Sequence, residues 1–217
     1  MYRLLSATPS PYARKVRVAL IEKGIPFALA TEIPWHPGSE TERLNPLQKL
    51  PVLLADGAQP VWDSSLILDW LELRHPEPPL LPAGPEARFA ARRFEVLSAG
   101  ICDAVVLILM ERLRAEGSRS APWIDRQMRK VTGGLAELAR TVPLAPPILP
   151  GPGPDGGFGL ADIAVGCALG YLGPRLPELD WRSAHPGLAA FLNACEARPS
   201  FAQTMPVPQA IDPALVV

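Results

Sequence analysis

Between residues 76 and 85 the chain reads Pro76-Glu77-Pro78-Pro79-Leu80-Leu81-Pro82-Ala83-Gly84-Pro85, with five prolines in ten positions. Proline lacks the backbone donor and restricts the residue before it, so neither a helix nor a central strand propagates through this block. Before it, short β-like runs alternate with helical periodicity; after it, the apolar spacing is helical throughout. Residues 1–75 are therefore expected to form one domain, 76–85 a linker, and 86–217 a second, all-helical domain.

In the first domain, Arg3-Leu4-Leu5-Ser6 reads as a short strand. Ser10 then offers an N-cap side chain and Pro11 a preset first helical residue, so a helix starts there and runs through Val16, Ala19 and Leu20 to the Lys23-Gly24 stop. Phe27–Thr31 follows as a second strand, completing a β-α-β unit. After a loop or short helix, Val52–Ala55 and Pro60-Val61-Trp62, joined across Asp56-Gly57, predict a hairpin. Ser64–Arg74, apolar at Leu66, Ile67, Trp70, Leu71 and Leu73, predicts the closing helix. The expected sheet is mixed and four-stranded, with helices on its faces. In the second domain, Glu86–Glu116 and Pro122–Thr141 are long helices, Pro143–Phe158 is a proline- and glycine-dense loop, and Leu160–Leu172 and Ala189–Arg198 supply two further helices.

The charge balance narrows the function. Lys and Arg number 21 against 22 Asp and Glu, which gives no basic field for a phosphate backbone, so no nucleic-acid partner is expected. The longest apolar run, Ala104–Met110, is too short to cross a bilayer, and the first residues reach Ser6, Thr8 and Pro9 before a signal peptide could form. A cytoplasmic protein without membrane contact is expected. Cys102, Cys167 and Cys195 are odd in number, widely spaced and set in apolar segments, so they read as packing thiols, with no disulfide framework and no metal site.

Four local features of the first domain can be read together: Ser10-Pro11 at a helix start, Lys49, Leu50-Pro51 before a strand, and Asp63-Ser64 at the next helix start. With the stretches Ser10–Arg17, Asn45–Leu53, Asp63–Ile67 and Leu160–Ala164, in this order and spacing, the chain resembles the glutathione S-transferase superfamily along nearly its whole length. The resemblance implies a thioredoxin-like α/β domain followed by an all-α domain.

Each candidate residue has a physical rationale beside the resemblance. A helix N-terminus carries unpaired N–H groups and partial positive charge, so it favours a thiolate over a thiol, and the Ser10 hydroxyl adds a donor. The resemblance gives Ser10 the sulfur-contacting position; helix capping is the plain structural role and is compatible with it. Thr8 is the local runner-up, and Tyr2 reads as part of the first strand. The first domain contains no cysteine, so no protein thiol can form a mixed disulfide there, and activation of glutathione's own thiol is favoured. From its residues alone, Leu50-Pro51 is an ordinary trans proline at a strand start. The resemblance implies that Pro51 is cis and that Leu50 pairs through its main chain with the cysteinyl part of glutathione. Ser64 can serve a carboxylate and Asp63 an ammonium, the two groups of the γ-glutamyl end, although either residue can simply cap the helix. Lys49 can pair with the glycyl carboxylate or stand solvated. Trp35 and His36 could line the same groove. Asp162 takes the family's structural capping role, with Gly159 where a serine or threonine commonly caps.

The resemblance thus implies a cytosolic glutathione transferase in which the thiolate attacks an apolar electrophile, a detoxifying conjugation. No metal or redox cofactor is implied, glutathione being a co-substrate, and the expected assembly is a homodimer. A glutathione-dependent isomerase or peroxidase, or a non-catalytic glutathione-binding or regulatory protein of the same fold, is the alternative. The Ala104–Met110 segment is expected to supply core and part of an acceptor pocket, with specificity set there and near Trp123.

Overall fold

The computed structural model describes residues 1–142, 149, 151, 152, 157–210 and 212–215. The chain divides into two compact units, Met1–Pro79 joined by the stretch that begins at Pro199, and Leu80–Arg198. The sequence division places everything after residue 86 in the helical domain; the structure instead packs the segment from Pro199 with the first unit. Nor is the proline block a bare spacer, because Leu80 and Leu81 are buried and the Leu80 carbonyl accepts a hydrogen bond from Leu160 N–H at 2.8 Å.

In the first unit, β1 (Tyr2–Ser6) leads into α1 (Pro11–Glu22) and β2 (Phe27–Thr31), then α2 (Glu40–Leu44), β3 (Val52–Leu54) and α3 (Ser64–Arg74). The sheet order is β2-β1-β3. β1 runs parallel to β2, with Ser6 opposite Thr31, and antiparallel to β3, with Leu5 opposite Val52. This is the thioredoxin-like arrangement, with three strands where four were expected. The second hairpin arm shrinks to a single bridge in which Val61 and Leu53 exchange N–H and C=O at 2.9 Å each. Part of the reason is local: Pro60 has no donor for a ladder and Asp63 is already committed to starting α3, which leaves Val61 and Trp62 between them, and of these Val61 makes the bridge. Leu4, Leu5, Val16, Leu20, Leu53, Ile67 and Leu71, all fully buried, form the core between sheet and helices.

The second unit comprises α4 (Pro85–Leu113), α5 (Ala121–Thr141), α6 (Leu160–Arg175), α7 (Trp181–Ala184) and α8 (Pro186–Glu196). α6 is the core helix, buried from Leu160 through Leu169 and again at Tyr171 and Leu172. α4 and α5 approach closely at Gly134, where a Cβ would fall 2.5 Å from Ile101 Cγ1, so only glycine fits that crossing. α4 ends at Leu113, short of the expected Glu116, because Arg114 turns extended and a 3-10 turn takes over at Glu116–Ser118. α6 runs three residues past Leu172 through Pro174, whose missing donor costs one bond in the last turn. α8 starts at Pro186, with proline in its first turn, three residues ahead of the expected Ala189. Much of the predicted 143–158 loop lies outside the described residues. Cys102, Cys167 and Cys195 are buried and form no disulfide among the described residues.

Candidate functional site

Register gathers the candidates at one end of the sheet. Leu5 pairs with Val52, so Pro51 follows on beside the carboxyl end of β1, where the Ala7–Ser10 turn begins. Leu53 pairs with Val61 antiparallel, which carries Trp62 and Asp63 back toward that end. Ser10, Leu50-Pro51 and Asp63-Ser64 therefore lie on three adjacent loops of the first unit.

Ser10 caps α1: its Oγ accepts from Ala13 N–H at 3.2 Å, and its backbone is extended. The turn before it is closed by Ser10 N–H on the Ala7 carbonyl at 3.1 Å. A hydroxyl that accepts through its oxygen keeps its proton, and no acceptor for that proton stands among the described residues. Thr8 differs. Its hydroxyl donates to the Val207 carbonyl at 2.9 Å, so its single proton is already spent. Tyr2 is engaged elsewhere, its hydroxyl bonded to His75 Nε2 at 2.8 Å and its ring edge-on to Trp70. Of the three hydroxyls considered, Ser10 is the one with a donor in hand at a helix N-terminus.

The Leu50-Pro51 peptide is cis, as are Trp62-Asp63 and Glu77-Pro78. The loop ahead of it is held by a residue to which the sequence reading gave no role. Asn45 is buried; its Oδ1 accepts from Leu47 N–H at 2.9 Å and its Nδ2 donates to the Lys49 carbonyl at 2.8 Å. That side chain closes the Asn45-Pro46-Leu47-Gln48 turn, in which Gln48 has a positive φ of 52°, and so fixes the main chain entering Leu50. Asn-Pro is a turn-initiating pair, the signal that could have singled it out. Lys49 itself is exposed.

Asp63 caps α3, its Oδ1 accepting from Ser65 N–H at 2.9 Å and Leu66 N–H at 3.3 Å, while its second oxygen has no partner among the described residues. Ser64, one position on, is buried and its hydroxyl likewise has no partner among those residues. Capping and ligand contact are thus compatible: one carboxylate oxygen orders the helix and the other is available to a cation. Trp35 and His36 are exposed in their loop.

In the second unit, Ala104, Val105 and Ile108 are buried and Leu107 exposed, so the predicted acceptor segment is core on one face. Asp162 is structural. Buried within α6, it accepts from Gly159 N–H at 2.9 Å and Leu149 N–H at 3.4 Å; burial pushes its carboxyl up to about 6 against the opposing pull of those N–H groups. The cap is one-sided, as the glycine requires. Gly159 cannot be serine here, because a Cβ would sit 2.6 Å from the Leu80 carbonyl oxygen.

Residues 9–74 match the family described as glutathione S-transferase, N-terminal domain, and residues 121–194 match its C-terminal domain. A glutathione S-transferase from Methylobacterium radiotolerans, solved in complex with glutathione sulfonate, superposes with a TM-score of 0.91 at 57% identity over 97% of each chain. A second, from Methylobacillus flagellatus with glutathione bound, gives 0.86 at 37% identity over 95% of this chain and 100% of that one. The uncharacterized GST-like protein YibF of Escherichia coli is 31% identical over 94% of this chain and 98% of its own length. With two domain matches in the expected order and relatives aligned end to end, the chain belongs to the glutathione S-transferase superfamily.

Proposed function

We propose that this chain is a glutathione transferase that binds glutathione along the edge formed by its three loops and holds the sulfur as a thiolate at Ser10. The carrying observation is the disposition of protons: Ser10 accepts from Ala13 N–H and retains a donor, whereas Thr8 has given its proton to Val207. A free cysteine thiol ionises near 8.5, and lowering that by about two units takes roughly 2.7 kcal/mol of preferential stabilisation of the anion. A hydroxyl donor at a helix N-terminus supplies interactions of that order. The Leu50 main chain pairs with the cysteinyl residue of the extended tripeptide, Asp63 and Ser64 take its γ-glutamyl ammonium and carboxylate, and Lys49 faces its glycyl carboxylate. The thiolate then attacks an electrophilic carbon of an apolar acceptor: the carbon–sulfur bond forms, and the displaced electron pair leaves with the acceptor's leaving group or is protonated on it. No protein cysteine is available in residues 1–101 to compete as nucleophile, and no metal or redox cofactor takes part in this chemistry.

The same reading places the protein in the cytoplasm as a homodimer. α3 exposes Leu66 and Leu73, seven residues apart, and α4 exposes Phe89, Val96 and Leu107, at intervals of seven and eleven that keep one helix face. Apolar stripes of this kind suit burial against a second copy.

The test is a thiolate absorbance titration of bound glutathione in the wild type and Ser10→Ala. The wild type should show a thiol ionising well below 8.5, and Ser10→Ala should bring it back up by about one unit, the worth of one charge-assisted hydrogen bond. Identical titrations would remove Ser10 from the role. Retention on immobilised glutathione without turnover of any electrophile in a panel would instead leave a binding protein.

A further inference from the structure

Arg14, one turn into α1, is 1% exposed, although a guanidinium carries a charge and five N–H donors. Its interactions all point one way. Nε donates to Thr204 Oγ1 at 3.4 Å, Nη2 to the Phe201 carbonyl at 3.2 Å, Nη2 also meets Met205 Sδ at 3.5 Å, and the group lies 4.9 Å from the Phe201 ring centroid. Arg17 Nη2 donates to the Gln203 carbonyl at 3.3 Å, and Ser200 Oγ bonds to Glu22 at the far end of α1. The segment after the short helix α9 (Pro199–Ala202) is therefore laid along α1 toward its N-terminus.

What it reaches there matters. In Met205-Pro206-Val207-Pro208, neither proline can donate, and Pro208 restricts Val207 to extended backbone, so the Val207 carbonyl is presented outward on a stiff segment. It takes the Thr8 hydroxyl proton at 2.9 Å. Two residues on, Gln209 Nε2 donates to the Glu32 carbonyl at 3.1 Å. Thr8 follows β1 and Glu32 follows β2, and those strands are parallel neighbours. One segment thus bridges both loops that leave the carboxyl ends of the two strands, two residues away from Ser10.

We propose that residues 201–209 are a strap that belongs to the glutathione site, and that Thr8 is a positioning residue: by bonding Val207 it sets the turn that aims the Ser10 hydroxyl at the sulfur. This inference rests on the proposed reading of Ser10. A hydroxyl displaced by a fraction of an ångström no longer meets the developing anion squarely, which is how a residue without ligand contact changes the ionisation of the ligand.

The test uses full-length chains carrying Thr8→Val, Thr8→Ser or Gln209→Ala, with glutathione calorimetry, thiolate titration at several pH values and amide exchange over residues 8–13. Thr8→Val should cut the thiolate fraction at neutral pH by about three- to tenfold, with melting shifted by only a few degrees; Thr8→Ser should restore it. Gln209→Ala, remote from the sulfur, should act in the same direction more weakly and speed exchange in the Ser10 turn. A silent Gln209→Ala beside an active Thr8→Val would overturn the strap in favour of direct sulfur contact by Thr8. A wild-type titration from Thr8→Val, or no rescue by Thr8→Ser, would overturn the positioning role. Absence of binding heat in the wild type would defeat the glutathione reading itself, an outcome distinct from binding that proves indifferent to the strap.

Discussion

Two helix N-termini in this molecule solve the same electrostatic problem in opposite ways. α6 begins at a glycine with no side chain to offer, and Asp162 in its first turn folds back to take the Gly159 N–H from within the core. α1 begins at a half-buried serine, followed by proline, with no acidic residue in its first turn. Both ends carry the partial positive charge of aligned peptide dipoles. The first neutralises it with a buried anion of its own; the second has no acidic side chain in its first turn to do so. α3 is intermediate, with one oxygen of exposed Asp63 capping the helix and the other open. A helix end that supplies its own carboxylate is architecture, and one that supplies only a neutral hydroxyl can host a guest anion.

The sharpest way to break this contrast is to give α1 the α6 solution. Ser10→Asp should keep or slightly raise stability, aspartate being as good a cap as serine, while placing a negative charge against the thiolate. The bound thiol should then ionise about two units higher than in the wild type, with a loss of at least about a hundredfold in kcat/KM at neutral pH, read by titration and by conjugation kinetics. A variant that retains full turnover would show that the sulfur does not sit at this end.

Next in size is the pH dependence of the α6 cap. The Asp162 carboxyl ionises at about 6 in the folded chain against an ordinary 3.8, so between those values the folded state holds more protons than the unfolded one. Stability from this group therefore falls as pH rises through that window, by up to roughly 3 kcal/mol once it is complete. Asp162→Asn cannot ionise, so the difference between wild-type and variant unfolding free energies should drop between pH 4 and 7; a flat difference would show that backbone donors fully offset the burial. The smallest effect belongs to Ser64→Ala, which removes one hydroxyl from the α3 end. Glutathione affinity should weaken by about three- to tenfold in calorimetry, with little change in the ionisation of the bound thiol.

Elements with strong local punctuation are legible in the sequence. Ser10-Pro11 opens α1 and Lys23 closes it as expected, and β2 and α3 match their predicted spans, because caps, proline and periodicity all agree there. The fourth strand shrinks to one bridge because Pro60 at its start has no donor and Asp63 just beyond its end caps α3. α7 and α9, four residues apiece, are too short to show a period. The proposed strap is hard to read for a different reason: Val207 and Gln203 act through main-chain carbonyls, which every residue carries, so their identity says nothing about the contact. Asn45 sits between these cases, its Asn-Pro turn readable but its hold on the Lys49 carbonyl a matter of tertiary geometry. Within the site, Ser10 and Asp63 are readable as caps, whereas their convergence with Pro51 follows only from the strand register.

All three cysteines are buried, and all lie in the helical unit. If the reactive sulfur is borrowed, as proposed, no permanent side chain in the pocket can climb the oxidation ladder from sulfenic to sulfonic acid. Peroxide would then spoil a molecule of peptide that departs with the next exchange, and the site would have no cysteine of its own to lose.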